Sequence, residues 1–262
     1  MLIVSVFTNG QRQQVHQLAK SVSRWQPDAV FWAVLMDQPA SGFEFNVLQV
    51  SDLNIPNFDQ LAANCQTDQL WGVVKTQAIK YFLPRADSVI FLESHLQLSN
   101  SITPFTDSLN DHDLVLLPQI NGLFEAKGRT QEQSVLKTGV FRTDCLAVKQ
   151  TPNTLKFINW WADRTLRHGQ YDYSNGFGGD QLWLVHALSL VDNLLVFKDT
   201  TNYFLTVGSQ VTPKSAYGKP APTQFFGISK GDITKGLKKA IRFIETYNPP
   251  FLARTPKAVR PD

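Results

Sequence analysis

Leu2–Phe7 is an apolar run interrupted only by Ser5. Beyond Thr8-Asn9-Gly10, apolar residues recur at three- and four-residue spacing as Val15, Leu18, Ala19, Val22 and Trp25. The first run reads as a buried strand and the second pattern as one stripe of a helix. Gln26-Pro27-Asp28 stops that helix, and Ala29–Met36 supplies another apolar run. Strand, helix and strand at this spacing form a βαβ unit. Such a unit implies parallel strands, a right-handed crossover and a sheet covered on both faces.

The pattern continues along the chain. Phe45–Val50 reads as a third strand, Leu70–Leu83 as a helix broken before Pro84, and Ser88–Leu92 as another buried strand. Leu114–Leu117 and Cys145–Val148 read as strands, and Thr154–Leu166 and Asp180–Leu190 as helices. Leu194–Phe197 is a short strand and Ile233–Tyr247 a final helix. No repeat, low-complexity segment or linker interrupts this order, and 262 residues suffice for one sizeable core. The expected fold is α/β, with a mixed, mainly parallel sheet flanked by helices.

Composition narrows the class further. Apolar residues make up 43% and charged residues 18%, which excludes a disordered chain, a collagen-like repeat and a coiled coil. No run approaches the ~18 apolar residues that a membrane-spanning helix needs. No basic residue precedes Arg12, so the N-terminus reads as a strand and not as a secretory signal. Cys65 and Cys145 alone make no disulfide framework, and a cytoplasmic setting is expected.

The net charge of +3 is unevenly distributed. From Lys230 onward eight basic residues face three acidic ones, net +5, which leaves residues 1–229 at −2. A body without a basic face argues against nucleic acid as a partner. The tail helix carries Ile233, Leu237, Ala240, Ile241, Ile244 and Tyr247 on one side, with Lys235, Lys238, Lys239 and Arg242 elsewhere. It suits either packing on its own domain or lying on an anionic membrane surface.

In open α/β sheets, ligands bind beyond the carboxyl ends of strands, where strand order reverses. That rule points to Thr8-Asn9-Gly10, Asp37, Glu93-Ser94-His95 and loops of the second half. Gly-x-Gly-x-x-Gly, Gly-x4-Gly-Lys-Ser/Thr and Gly-x-Ser-x-Gly are all absent. Dinucleotide oxidoreductase, P-loop and α/β-hydrolase chemistry are therefore unsupported.

Residues 1–37, then Val74-Lys75, then Asp87–His95 resemble the front half of GT-A glycosyltransferases, whose Rossmann-like sheet binds a nucleotide sugar. Gly139-Val140-Phe141, Phe157–Trp161 and Gly178–Leu184 are similar to a bacterial group within that fold, which carries a paired-Trp helix and an Asp-Gln loop. The resemblance covers roughly residues 1–230, with 231–262 as a basic helix and tail. It implies transfer of a sugar from a UDP- or GDP-linked donor to a glycan or lipid-linked acceptor. A lipid-linked acceptor would suit a peripheral seat at the inner membrane face.

Carried over by position, the resemblance gives Phe7, Thr8 and Asn9 the nucleotide base and ribose, with Asp37 after the second strand. Lys75 faces the diphosphate. Asp180 is the candidate catalytic base or an orienting residue, and Gln181 accompanies it near sugar and acceptor. Asp180 equally suits an N-cap of its helix. Trp160 and Trp161 point about 100° apart on their helix: core packing of both is the favoured reading, and the alternative puts Trp161 in the ligand cleft.

The departures are also specific. The family's metal motif has two Asp positions; Glu93 and His95 stand there, a pair that suits Mn²⁺ better than Mg²⁺. His95 also reads as an ordinary strand-end histidine. A sugar-contacting Asn-x-Gly is replaced by Arg142-Thr143-Asp144, and no His follows His186, so the family's C-terminal metal ligand is missing. Arg142, Lys75 and Lys230 are candidates for neutralising a diphosphate in place of a metal. A catalytically impaired relative that binds nucleotide, glycan or protein is the alternative these departures imply.

Overall fold

The computed structural model describes residues 1–65, 67–119, 133, 135, 139–168, 179–197 and 203–206. The chain divides into two units, Met1–Thr212 and Pro213–Asp262. All of the second lies outside the described residues, and with it Lys230 and the helix expected over 233–247. The aromatic, glycine-rich segment 171–177 lies outside them too.

β1 (Leu2–Phe7), β2 (Val30–Leu35), β3 (Asn46–Gln49), β4 (Ser88–Leu92), β6 (Leu114–Pro118), β7 (Phe141–Lys149) and β8 (Leu194–Val196) form one seven-stranded sheet. Its order is β3-β2-β1-β4-β7-β6-β8. β1 pairs in parallel with both β2 and β4, β2 with β3, and β6 with β8, while β7 runs antiparallel to its neighbours β4 and β6. The sheet is thus mixed and mainly parallel, as expected. A two-stranded ribbon of β5 (Leu96–Leu98) and β9 (Phe204–Thr206) lies beside it.

Helices cover both faces because successive strand side chains point to opposite sides. Val4 and Val6 of β1, with Val89 and Phe91 of β4, pack under α3 (Thr67–Phe82) and α5 (Pro152–His168). Ile3 and Phe7, with Ile90 and Leu92, face α1 (Arg12–Trp25), whose Val15, Leu18, Ala19 and Val22 form the buried stripe. Fully burying each such aliphatic or aromatic side chain contributes about 1.5–3 kcal/mol.

Several elements differ from expectation. β7 begins at Phe141, four residues before the expected Cys145, because its polar start pairs across a bulge with β6. The helix expected over Asp180–Leu190 is two, α6 (Gly179–Leu184) and α7 (Ala187–Leu190), with a turn at Val185–His186. Short elements the periodicity did not indicate are α2 (Phe58–Asn64), β5 and α4 (Thr103–Asp107).

Candidate functional site

Strand order reverses between β1 and β4: β2 and β3 extend from β1 to one side, and β7, β6 and β8 from β4 to the other. Such a reversal leaves a crevice at the carboxyl ends of the two strands. Glu93-Ser94-His95 leaves β4 there in a turn closed by the Leu96 amide donating to the Glu93 carbonyl at 2.9 Å. Because β7 is antiparallel, its first residues lie at the same end, and the Glu93 amide donates to the Asp144 carbonyl at 2.8 Å.

Lys75 of α3 is the centre of the group. Its Nζ stands 2.7 Å from Glu93 Oε1 and 3.0 Å from Asp180 Oδ2, and donates to Thr143 Oγ1 at 3.0 Å. Thr143 takes one of the ammonium's three N–H donors as a hydrogen bond, and Glu93 and Asp180 hold it as ion pairs. The side chain is only 4% exposed and lies 5.5 Å over the Phe91 ring. Burial would lower the Lys75 pKa, but Asp180 and Glu93 outweigh it and hold the group well above its ordinary value. Expected to face the diphosphate, Lys75 is in this structure a buried cation held by the chain's own side chains, and it braces α3, the β4 turn, β7 and α6.

Glu93 has both oxygens engaged, Oε1 by Lys75 and Oε2 by His95 Nδ1 at 3.3 Å. Burial would raise its pKa, yet the Lys75 charge and the hydrogen bonds from His95 and Lys75 bring it down to about 2. The hydrogen bond to Glu93 raises the His95 pKa against the opposing effect of burial, aided by the charges of Glu93 and Asp144. Arg142 grips Asp144 with two donors, Nε at 2.9 Å from Oδ1 and a terminal nitrogen on Oδ2. His95 Nε2 stands 3.8 Å from the same Oδ2.

The sign for Glu93 is that of a depressed carboxylate. Its stabilising contribution is complete above the ordinary value near 4.5 and is lost as pH falls through about 2. Urea unfolding between pH 5 and 2 should show this loss, and Glu93→Gln should flatten the profile. An unchanged slope in the variant rules the pairing out.

Asp180 and Gln181 are brought to this end by α6. Asp180 is already inside the helix that begins at Gly179, so the expected N-cap role is replaced by the ion pair. Its buried Oδ2 makes no hydrogen bond and is compensated by the Lys75 ammonium as an ion pair at 3.0 Å, and its side chain lies beside Gly72 of α3. A Cβ at Gly72 would stand 3.2 Å from the carboxylate. Gln181 Nε2 donates to the Phe141 carbonyl at 2.7 Å and to Gln119 Oε1 at 3.3 Å, which fixes α6 to the start of β7. Gly139 has φ +126°, and a Cβ there would come 2.7 Å from the Gln181 carbonyl oxygen, so only glycine fits.

Trp161 takes the core position of the two readings. It is fully buried, stacked on Phe157 with ring centroids 6.1 Å apart, and its Nε1 donates to the Asp180 carbonyl at 2.9 Å. It offers no surface to a sugar; it holds α6 in place. Trp160 is the half-buried member of the pair and packs edge-on against Trp183.

The candidate nucleotide residues form a second group at the ends of β1 and β2. The Asn9 amide donates to Asp37 Oδ2 at 2.9 Å and Oδ1 at 3.1 Å, and Asn9 Nδ2 donates to the Gln38 carbonyl at 3.0 Å. Thr8 donates its amide to Gln11 Oε1 at 3.1 Å. Phe7 is fully buried, with its ring edge-on to Phe43 at 5.4 Å. Its side chain anchors β1 in the core.

Sequence reasoning missed Thr143, Gly72 and the bracing role of Lys75. A lone glycine inside a helical pattern was the available signal for Gly72, since such a residue marks close packing.

The chemistry of the donor set decides the expected Mn²⁺ at Glu93 and His95. Glu93 and Asp144 have both oxygens engaged by cationic groups, and no three His, Cys, Asp or Glu side chains among the described residues converge to hold a metal ion. The cations Lys75 and Arg142, joined by His95 when it is protonated, stand against the anions Glu93, Asp144 and Asp180. At 4 Å and an effective dielectric of about 20, each carboxylate attracts a divalent ion by about 8 kcal/mol, and each paired cation repels it equally. The paired cations thus cancel much of the attraction that would offset dehydration of the ion. As they stand, these residues do not fit a divalent metal.

No protein-family model matches the chain, and no curated protein sequence matches it. Solved structures do. A galactosyltransferase, LgtC, in complex with donor and acceptor sugar analogs is 15% identical, with 74% of this chain and 72% of that one covered, at a TM-score of 0.46. Mouse xyloside xylosyltransferase 1 in its apo form is 12% identical over 74% of this chain and 84% of its own, at 0.44. The glycosyltransferase GlyE of Streptococcus pneumoniae is 15% identical over 76% of this chain and 45% of its own, at 0.43. What these structures share with the chain is a likeness in the course of the backbone.

Proposed function

We propose that the chain is a glycosyltransferase, moving a sugar from a UDP- or GDP-linked donor to a glycan or lipid-linked acceptor. The observation that carries this reading is the meeting of Lys75, Glu93, His95, Arg142, Asp144 and Asp180 at the crevice between β1 and β4. Sugar transfer requires the departing nucleoside diphosphate to be stabilised as its charge develops. Arg142 and His95, 29% and 35% exposed, are the cations that a phosphate could reach, and Arg142 keeps guanidinium donors beyond those that hold Asp144. Asp180, fixed by Lys75 and Gly72, orients donor or acceptor. Asn9 and Asp37 are the groups nearest the expected base and ribose.

The engagement of Lys75 by the chain's own side chains favours a second reading, a relative that binds nucleotide, glycan or protein in the same crevice without turnover. Calorimetry with UDP, GDP and their sugars, with and without Mn²⁺, followed by a product assay, separates the two. Nucleotide binding with product supports transfer; binding without product supports the second reading. If no nucleotide binds under any condition, both nucleotide-based readings fail. Arg142→Ala should weaken binding roughly tenfold to a hundredfold, the loss expected for one charge-assisted contact.

The acceptor class and location belong to the same proposal. No helix among the described residues is long and apolar enough to cross a membrane. A cytoplasmic chain that reaches a lipid-linked acceptor through its basic tail would pellet with anionic vesicles in a salt-sensitive manner. Absence of such binding ends the membrane part alone.

A further inference from the structure

We infer that the Lys75 ammonium acts as a built-in cation in this crevice, and that deleting it creates a divalent-metal site which the native chain lacks. The inference deepens the donor-site reading above and rests on it only for what the crevice binds.

Three oxygens converge on Nζ: Glu93 Oε1 at 2.7 Å, Asp180 Oδ2 at 3.0 Å and Thr143 Oγ1 at 3.0 Å. They come from three different elements: the turn after β4, helix α6 and strand β7. Two carboxylates and a hydroxyl are hard oxygen donors, the type that Mg²⁺ and Mn²⁺ select, with waters completing their shells. In the native chain the ammonium engages all three.

The backbone that carries each oxygen is held independently of Lys75, and the Glu93 side chain is also held through Oε2 by His95 Nδ1 at 3.3 Å. The Glu93 amide is bound to the Asp144 carbonyl at 2.8 Å, and the Asp180 carbonyl accepts from the buried Trp161 ring at 2.9 Å. The Asp180 side chain lies against Gly72, where a built Cβ would stand 3.2 Å from it. Thr143 lies in the β7 strand. Removing the lysine side chain therefore leaves the oxygens around a vacated volume, with Asp180 without its cation and Glu93 paired to His95 alone. A divalent ion would supply the positive charge that the ammonium had provided.

Mn²⁺ binding, read by electron paramagnetic resonance of the free ion and by calorimetry, tests this on the full chain without any activity assay. The wild type and Lys75→Arg should leave Mn²⁺ free. Lys75→Ala should bind it at least about tenfold more tightly, with a matching rise in melting temperature, and Lys75→Gln provides a second neutral variant. Adding Glu93→Gln to either variant should abolish the gain. Mn²⁺ binding by the wild type that Glu93→Gln removes overturns the inference, as does a folded Lys75→Ala or Lys75→Gln that binds no metal.

The nucleotide arm is separate. If UDP or GDP binding is lost in EDTA and restored by Mn²⁺, the inference fails while the donor-site reading stands. If the neutral variants gain Mn²⁺ but no nucleotide binds to the wild type, the inference stands and the donor-site reading fails.

Discussion

Lys75→Met is expected to lower stability by about 3–5 kcal/mol, because it leaves two carboxylates facing each other in a largely closed site. Glu93 and Asp180 both sit within 3.0 Å of the ammonium, and the lysine side chain is 4% exposed. Urea denaturation at neutral pH measures the loss. Combining Lys75→Met with Glu93→Gln and Asp180→Asn removes the stranded charges and should recover a large part of it. Replacing a whole buried ion group is far less costly than breaking it. A single variant as stable as the wild type would show that Lys75 is not the brace described here.

Trp161→Ala is expected to cost about 3–5 kcal/mol, the range for truncating a large buried aromatic side chain. The residue has no exposed surface, and its ring N–H is bonded to the Asp180 carbonyl. Trp161→Phe keeps a ring but leaves that carbonyl without its donor, a defect worth about 1–3 kcal/mol. Chemical denaturation of both variants checks the order. Any acceptor or donor affinity should change in Trp161→Phe only as far as Asp180 moves. A selective loss of sugar binding at full stability would return the residue to the cleft.

What could be read from the sequence depended on how far each element's role was local. β1 and β4 are continuous apolar runs bounded by turn residues, and Leu2–Phe7 and Ser88–Leu92 appear in the structure with the limits expected for them. The β7 strand was only half legible. Arg142, Thr143 and Asp144 are polar because they face the site, so the chemistry of the crevice masked the strand that carries it.

The candidate residues Lys75, Glu93, His95, Arg142, Asp144 and Asp180 do come together, but what they do to one another was not legible. Lys75 and Asp180 are brought into contact by helix packing across a long stretch of chain. No spacing rule reports that an ammonium will be held by three side chains. Phe7 and Trp161 show the opposite limit, since aromatic residues beside a motif read as ligand contacts until burial is known.

The Lys75 brace has a consequence for motion. One side chain on α3 is tied to the β4 turn, to β7 and to α6, so the floor of the crevice cannot open one wall at a time. Amide exchange at Glu93, whose N–H is bonded to the Asp144 carbonyl, should then proceed only through unfolding of the sheet itself. The floor should then exchange among the slowest parts of the described residues. Any gating that admits a ligand has to be supplied by segments that this lysine does not hold.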